Sequence, residues 1–360
     1  MNKKVLLSGC TGQDGSYMVD YLLENTNHDI YGIIRRLSVP NKKNIKHNLN
    51  NPRFKIITGD LSDSQSIDNL VREIKPDYFI NFGAQSFVQA SWEIPEQTFD
   101  IDAMGVLRCL EAIRKNKPDC RFYSSGSSEQ WGNVVYSPQD FNHPMRPRSV
   151  YGAAKCAAGL LTKVYRESYN LFAVHCILTN HESERRGEEF VTRKITKGVA
   201  RIYHAIKNNQ NFEPIELGNL DAKRDWSHAK DFIRGIWMVL NQDKPKEYIF
   251  SSGENHSIRE FIELAFSNAG LNGIWKESGI DEKFIIVMGG FFINGLPSEV
   301  SINKIGIKIN KSFYRLADVE SLQGDSILAR LELDWKPEYS FKDLVSCMVK
   351  YDIENYNEKE

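Results

Sequence analysis

Tyr151 and Lys155 stand four residues apart, a spacing that suits acid–base chemistry. If this segment is helical, one turn separates the two residues and both side chains lie on one face. An ammonium group beside a phenol favours the phenolate, which can accept a proton from a hydroxyl group. Pro147 and Ser149 are typical of a helix start just before the pair. Because this spacing also arises by chance, the prediction needs support from other parts of the chain.

A second group of reactive side chains, Ser127, Ser128 and Glu129, follows a predicted strand at 121–125. Oxidation of an alcohol needs a hydroxyl group at this position but no carboxylate, so Glu129 indicates a second proton transfer. A glutamate at a helix N-terminus is also stabilised by the helix dipole, and the residue types leave both interpretations open. The predicted catalytic residues are Ser127, Ser128, Glu129, Tyr151 and Lys155.

A glycine-rich loop near the start of the chain, residues 9–15, follows a short apolar run and precedes a helical pattern. Its glycines let the backbone turn tightly and approach a pyrophosphate, which then lies at the helix N-terminus. A plain strand-to-helix turn is the alternative, but the context favours a nicotinamide dinucleotide site. The predicted contacts in this loop are Gly9, Thr11, Gly12, Gln13, Asp14 and Gly15.

The end of the predicted second strand indicates which dinucleotide to expect. An NAD site would place Asp or Glu there to bind the ribose hydroxyls, whereas this chain has Arg35 and Arg36. Two guanidinium groups suit a 2′-phosphate, so the sequence predicts NADP. A solvated pair of surface charges is the alternative interpretation.

Short apolar strands alternate with helical patterns through the first half of the chain. The predicted strands are 5–7, 30–34, 54–57, 78–82 and 121–125, and the later helices are 64–74 and 100–115. This alternation predicts an α/β fold with a doubly wound, parallel Rossmann-type sheet. Ligands of such sheets bind beyond the carboxyl ends of the strands, and the polar clusters described above follow predicted strands.

The second half is less regular and predicts a smaller, mixed α/β lobe that binds a substrate. We expect an NADP-binding domain over 1–178 and a substrate lobe over 179–360, with some later segments returning to the first domain. An insertion-like region at 278–311 contains an apolar run at 284–293.

The overall composition excludes several classes of protein. A net charge of -1, with 41% hydrophobic and 26% charged residues, gives no global attraction to nucleic acid or membranes. No apolar run has the length of a signal peptide or a membrane span. The six cysteines are scattered and form no C-x-x-C pair, which predicts reduced thiols, no metal site and a cytoplasmic protein.

With these motifs in place, the chain closely resembles the GDP-mannose 4,6-dehydratases, a family of the extended short-chain dehydrogenase/reductase superfamily. Matching stretches include TGQDGSY at 11–17, GAQS at 83–86, PRS at 147–149, YGAAK at 151–155 and NHES at 180–183. Four more have no explanation as core packing: RRG at 185–187, FVTRKI at 190–195, LGNLDAKRDW at 217–226 and LQGD at 322–325. The similarity extends over nearly the whole chain.

The resemblance implies a reaction. Tyr151 would take the proton of the sugar C4 hydroxyl while hydride passes to NADP, and Glu129 would remove the C5 proton and assist loss of water from C6. Hydride would then return to C6, so that the cofactor is regenerated. The segment containing Arg35 and Arg36 also forms a subunit contact in the family, which implies a homo-oligomer, either a dimer or a tetramer.

The resemblance also implies binding residues. Further cofactor contacts would be Asp60, Leu61, Gly83, Ala84, Tyr151, Lys155, His181 and Arg186. The GDP-linked, manno-configured sugar would contact Gln85, Ser86, Asn180, Val191, Lys194, Gly218, Arg224, Arg315 and Asp318, with Arg224 on the pyrophosphate.

The chain departs from the family pattern beside the catalytic residues. Gly126 replaces a usual serine, and Gln130 with Trp131 replaces an apolar residue followed by Tyr or Phe. Gly126 could make room for a larger group at C6, and Gln130 could bind it if its side chain faces the sugar. A GDP-linked manno-heptose is therefore the alternative to GDP-mannose. An epimerase or simple reductase would share Tyr151 but would not need Glu129.

Overall fold

The computed structural model describes residues 2–39, 41–293, 296–313 and 321–356, with the backbone alone at 292, 293 and 296–299. The strands are β1 (Lys4–Ser8), β2 (Asp29–Ile34), β3 (Phe54–Thr58), β4 (Tyr78–Asn81), β5 (Arg121–Ser125), β6 (Ala173–Leu178), β7 (Asn180–Glu182), β8 (Ile215–Leu217), β9 (Lys223–Arg224), β10 (Trp226–His228), β11 (Ile249–Phe250), β12 (His256–Ser257), β13 (Leu271–Lys276), β14 (Lys283–Ile293), β15 (Leu296–Ile309) and β16 (Ser321–Leu322). The α-helices are α1 (Gln13–Asn25), α2 (Ser64–Ile74), α3 (Pro95–Phe99), α4 (Gly105–Asn116), α5 (Val150–Tyr169), α6 (Val191–Lys207), α7 (Ala229–Leu240), α8 (Ile258–Asn268), α9 (Ile327–Leu333) and α10 (Phe341–Glu354).

The chain forms two compact units. The first unit comprises Met1–His181, Ser227–Glu254 and Leu322–Glu338, and the second comprises Glu182–Trp226, Asn255–Ser321 and Tyr339–Glu360. Two later segments of the chain therefore belong to the same unit as the N-terminal half.

The first unit is built on a parallel sheet whose described strands have the order β11-β6-β5-β4-β1-β2-β3. The chain moves outward from β1 through β2 and β3, and then crosses to β4 on the other side of β1. The ends of β1 and β4 thus form the point at which the strand order reverses, where open α/β sheets bind their ligands. The predicted Rossmann-type sheet is confirmed.

Alternating side chains of the central strand fill two cores, one on each face of the sheet. Val5 and Leu7 pack with residues of α1 and α7 in one core, whereas Leu6 packs with residues of α2 and α4 in the other. All three are fully buried, because a strand covered on both faces exposes neither set of side chains. The sheet is therefore held rigidly between two helical layers.

The second unit is a smaller mixed α/β structure. Its largest sheet has the order β13-β14-β15-β8, in which β14 pairs with both neighbours in antiparallel fashion and β8 pairs with β15 in parallel. The region 278–311, which reads as an insertion, contributes the two long strands β14 and β15 to this sheet. Three consecutive residues of its apolar run, Phe284, Ile285 and Ile286, are buried, and Phe284 and Ile286 belong to the core of this unit.

A buried ion pair joins two helices of the second unit. Arg193 on α6 pairs with Asp352 on α10, and their exposed side-chain fractions are only 4% and 5%. Across the described ranges, no helix combines the length and apolarity needed to cross a membrane.

Candidate active site

The glycine loop after β1 is tightly folded against the end of β4. Gly9 has a φ of +68°, and a Cβ there would lie 2.7 Å from the carbonyl carbon of Phe82. Gly12 is the N-cap of α1 and, lacking a side chain, makes no side-chain cap to the N–H groups of the first turn. This cradle fits the pyrophosphate of a dinucleotide, which binds such N–H groups with the help of the helix dipole.

Other predicted cofactor residues lie around this loop in the first unit. Asp14 Oδ2 lies 2.8 Å from His181 Nε2, and the Gln13 amide donates to the main-chain oxygen of His181 at 3.0 Å. The main-chain N–H of Gly83 donates to Ser8 Oγ at 3.1 Å. Ala84 follows in the loop after β4, and the loop after β3 contains Asp60 and Leu61, of which Leu61 is buried.

Arg35 and Arg36 follow β2 directly, and both are exposed. Among the ion pairs of the described residues, neither guanidinium is paired with a carboxylate. The glycine loop is tied to the segment beyond them, because the Asn44 amide donates to the main-chain oxygen of Thr11 at 3.1 Å. Both arginines are therefore available to an anionic group near the glycine loop.

The predicted catalytic pair lies at the start of α5, as expected from Pro147 and Ser149. Ser149 caps the helix by accepting a hydrogen bond from the Gly152 N–H at 3.0 Å. Tyr151 and Lys155 are 8% and 5% exposed, and Lys155 Nζ lies 5.6 Å from the centre of the Tyr151 ring. Lys155 Nζ also donates to the main-chain oxygen of Ser125 at 3.0 Å, which links the helix to the end of β5.

The second predicted group packs on the same helix turn. A Cβ on Gly152 would lie only 2.6 Å from the main-chain oxygen of Glu129, so the glycine permits a close approach. Ser127 caps a short 3-10 helix over Ser128–Gln130, and its Oγ accepts from the Glu129 N–H at 3.2 Å. The structure thus brings the five predicted catalytic residues together at the carboxyl edge of the sheet.

Sequence reasoning missed one charged residue of this site, Asp102. It lies in a single π-helical turn before α4, is 1% exposed, and accepts a hydrogen bond from the Gln85 N–H at 2.7 Å. Its other oxygen, Oδ2, is buried and has no hydrogen-bond partner in the described part of the chain. Burial raises the pKa of Asp102 to about 6, although the charge of Lys155 opposes this rise.

Burial acts on Lys155 in the opposite direction. It lowers the pKa of the ammonium group, while the carboxylates of Asp102 and Asp14 raise it. Both effects have one cause, since an apolar environment disfavours the charged form of either group. The catalytic edge therefore contains an acid and a base whose charged forms depend on each other.

Three predicted sugar-site residues belong to the first unit. The Gln85 amide is engaged within its own loop, where it donates to the main-chain oxygen of Phe87 and to Thr98 Oγ1, both at 3.1 Å. Ser86 is exposed beside it, and Asn180 is partly exposed in β7.

Four more predicted substrate residues, Val191, Lys194, Gly218 and Arg224, belong to the second unit. Lys194 Nζ lies 3.6 Å from the centre of the Phe313 ring, and burial lowers the pKa of Lys194. A Cβ on Gly218 would lie 2.7 Å from the main-chain oxygen of Phe313. Lys194 and Gly218 thus meet at Phe313, an aromatic residue that no motif pointed to. Val191 begins the helix that carries Lys194.

Two arginines of the second unit are held by neighbouring groups. Arg224 is 9% exposed and donates to the main-chain oxygen of Lys223 at 2.9 Å. Arg186 pairs with Glu182 at 3.0 Å, and its guanidinium lies 3.5 Å from the centre of the Phe190 ring. The predicted residues Arg315 and Asp318 lie outside the described residues.

The residues that depart from the family pattern have buried side chains or lie against buried side chains. Gln130 and Trp131 are 0% and 1% exposed. A Cβ on Gly126 would lie 2.9 Å from Gln130 Oε1, so the space beside this glycine is already filled. Gly126 therefore leaves no open space beside it, and the Gln130 side chain is packed inside the unit.

The sheet order, the glycine loop at the reversal point, and a Tyr–Lys pair beside β5 define a Rossmann-type protein of the short-chain dehydrogenase/reductase kind. The dTDP-glucose 4,6-dehydratase of Streptomyces venezuelae, solved with NAD and TYD bound, has the same fold. It matches with a TM-score of 0.78 at 19% identity, covering 98% of this chain and 97% of that one.

Comparison with protein families is more specific. The model of the family described as GDP-mannose 4,6 dehydratase matches residues 6–348. The GDP-mannose 4,6 dehydratase of Drosophila melanogaster is 42% identical over 98% of this chain and 87% of its own length. The GDP-mannose 4,6-dehydratase of Vibrio cholerae serotype O1 is 41% identical over 98% of this chain and 95% of its own. The chain belongs to the GDP-mannose 4,6-dehydratase family, which confirms the resemblance inferred from its motifs.

Burial of Asp102 predicts a pH-dependent effect on stability. Its pKa is about 6 in the folded protein against an ordinary 3.8, so the folded state binds more protons between these values and stability falls as pH rises through them. Above pH 6, the charged carboxylate of Asp102 lowers the free energy of unfolding by up to about 3 kcal/mol. We expect Asp102→Asn to melt at a higher temperature than the wild type at pH 8, with the difference shrinking towards pH 4.

Thermal unfolding at several pH values measures this effect. Glu96→Gln, at an exposed acid of α3, is the matched control and should leave the melting temperature within a degree or so at every pH. A destabilised Asp102→Asn protein at pH 8 would show that the attraction to Lys155 outweighs the cost of burial.

Proposed function

We propose that this chain is a hydro-lyase that converts GDP-mannose to GDP-4-keto-6-deoxymannose with a bound nicotinamide dinucleotide. The observation that carries the proposal is the grouping of Tyr151, Lys155 and Glu129 at one edge of the sheet, in a chain of the GDP-mannose 4,6-dehydratase family. A simple alcohol dehydrogenase needs the first two groups, whereas elimination of water also needs a carboxylate.

The chain's own residues supply the proton transfers. Tyr151 takes the proton of the C4 hydroxyl, and the ammonium group of Lys155 stabilises the resulting negative charge. Glu129 then removes the C5 proton, made acidic by the C4 ketone, and returns a proton to the hydroxyl that leaves C6. Ser127 has its oxygen engaged by the Glu129 N–H, so its O–H remains able to donate to the C4 oxygen.

The glycine loop and the α1 N-terminus would hold the pyrophosphate of the dinucleotide, and Arg35 with Arg36 would bind a 2′-phosphate. A nicotinamide bound there would supply reversible hydride transfer between the cofactor and the sugar. The Streptomyces dehydratase was solved with NAD bound, so the proposal of NADP for this chain rests on its arginine pair.

We further propose that the first unit binds the dinucleotide and the second unit binds the GDP moiety. Lys194, Gly218 and Phe313 are grouped within the second unit, where a cation and an aromatic ring suit a nucleotide. A homo-oligomer is proposed from the family resemblance alone.

The substrate prediction is tested with GDP-mannose and a GDP-linked manno-heptose. We expect GDP-mannose to lose one water, seen by mass, without net consumption of NADPH, and to be preferred in kcat/KM by about 10–200-fold, the range for one extra or missing contact. The physical reason is that Gly126 leaves no open space beside it and the Gln130 side chain is packed inside the unit. A clear preference for the heptose would overturn the mannose assignment, and stoichiometric NADPH oxidation would indicate a reductase.

Separate roles for Tyr151 and Glu129 predict different defects. Tyr151→Phe should lower turnover by roughly 10²–10⁴-fold before any hydride transfer, because general acid–base groups contribute this much. Glu129→Gln should still allow oxidation at C4 but stall before loss of water, so that absorbance of reduced nicotinamide accumulates.

Matched controls for these two variants lie near the C-terminal end of α5, the helix that carries Tyr151. Tyr169→Phe and Glu167→Gln change exposed side chains of α5 and should turn over like the wild type. If Tyr151→Phe and Glu129→Gln both fail before any cofactor reduction, the separate roles are wrong.

The arginine pair predicts a preference for NADP. Each guanidinium–phosphate contact is worth about 1.5–3 kcal/mol, so the apoprotein should bind NADP at least tenfold more tightly than NAD. Replacing both Arg35 and Arg36 with methionine should remove this preference in a titration of cofactor affinity, whereas Lys43→Met should keep it. Equal affinity of the wild type for the two cofactors contradicts the prediction.

A further inference from the structure

Gln130 and His175 form a hydrogen-bonded pair behind the catalytic loop. Both side chains are buried, with exposed fractions of 0% and 3%. Gln130 Oε1 accepts a hydrogen bond from the Ser127 N–H at 2.9 Å and lies 3.2 Å from His175 Nε2. The other ring nitrogen, Nδ1, lies 3.2 Å from Ser124 Oγ.

The protons of this network have one consistent arrangement. A main-chain N–H can only donate, so the Ser127 N–H fixes the amide oxygen of Gln130 towards itself. Burial lowers the pKa of His175 to about 3, so the ring is neutral and carries a single proton. That proton lies on Nε2 to reach the Gln130 oxygen, which leaves Nδ1 to accept from the Ser124 hydroxyl. The network therefore joins β6 to the end of β5 and to the loop beyond it.

Two glycines make the space for the pair. A Cβ on Gly126 would lie 2.8 Å from His175 Nε2 and 2.9 Å from Gln130 Oε1. A Cβ on Gly159 of α5 would lie 2.9 Å from His175 Cδ2. Gly126 and Gln130, which depart from the family pattern together, thus occupy one packed arrangement.

The network ends on the residue that starts the catalytic turn. Ser127 is the N-cap of the short helix that carries Glu129, and its N–H is the group that Gln130 holds. We infer that Gln130 and His175 are positioning residues, which hold Ser127 and Glu129 in their reactive geometry without contacting the sugar. The catalytic part of this inference, that the pair supports turnover, rests on the proposed function. The mechanical part, that the pair holds Ser127 in place, does not.

Hydrogen exchange tests the mechanical part without any substrate. Gln130→Met keeps a side chain of similar length but removes the oxygen that accepts from the partly buried Ser127 N–H. We expect amide exchange in a peptide spanning 124–131 to become roughly tenfold faster or more, the scale of one lost hydrogen bond. Cys156→Ala is the matched control and should exchange like the wild type, because its thiol donates to the main-chain oxygen of Gln130 at 3.7 Å and not to the Gln130 side chain.

Kinetics test the catalytic part with GDP-mannose as the probe. For Gln130→Met we expect kcat to fall by roughly tenfold or more, with KM changed by less than about threefold, because the sugar contacts are retained. A defect confined to KM would instead show that Gln130 acts on binding and would overturn the inference.

Chemical rescue gives a third measurement. His175 and Gln130 line a cavity of about 450 Å³, so His175→Ala leaves an imidazole-sized space that a small molecule can enter from this side. Added neutral imidazole should restore much of the lost kcat and the slow exchange in His175→Ala, but neither in Gln130→Met. A merely structural role for the histidine would give no such selective rescue.

The outcomes separate the two proposals. If the wild type does not dehydrate GDP-mannose, the proposed function fails, and exchange still decides whether the pair holds Ser127. If the wild type is active but Gln130→Met exchanges and turns over normally, the inference fails alone. If Gln130→Met or His175→Ala does not fold, Ser124→Ala takes its place, because it removes only the bond between Ser124 Oγ and His175 Nδ1. We then expect Ser124→Ala to show a smaller increase in exchange rate and a smaller loss of kcat. A Ser124→Ala protein in which both are unchanged rejects the inference.

Discussion

Close contact between backbone segments at the carboxyl edge of the parallel sheet is the constraint on which the site depends. A Cβ would lie 2.7 Å from the Phe82 carbonyl carbon at Gly9, and 2.6 Å from the Glu129 main-chain oxygen at Gly152. Real Cβ contacts are longer, so a side chain at either position would separate the loops. The first contact joins the ends of β1 and β4, and the second joins the catalytic turn to α5.

Burial at this edge of the sheet also changes the chemistry of the ionisable groups. Lys155 and His175 both become harder to protonate, and Asp102 becomes harder to ionise, with burial as the largest cause in each case. A neutral His175 can act as a directional hydrogen-bonding group, whereas a solvated histidine would titrate near neutral pH. The same packing that brings the reactive groups together therefore selects their protonation states.

The departures from the family pattern at Gly126, Gln130 and Trp131 lie behind the catalytic turn. Gln130 replaces an apolar residue, yet its buried side-chain oxygen has two hydrogen-bond partners, the Ser127 N–H and His175. A hydrogen-bonded network can replace an apolar contact in this way because each of its buried polar groups has a partner. The predicted catalytic residues are left unchanged.

The sequence by itself determined the Rossmann-type sheet, the glycine loop and the Tyr151–Lys155 helix, because each depends on local periodicity or on residues only a few positions apart. It also predicted that polar clusters after separate strands would meet, since parallel strands end at one edge. Only the tertiary structure decided which way Gln130 points and that it meets His175, 45 residues away. It likewise revealed the buried carboxylate of Asp102 and the two long strands at 283–309. Side-chain direction and burial result from packing between distant segments, and no local pattern encodes that packing.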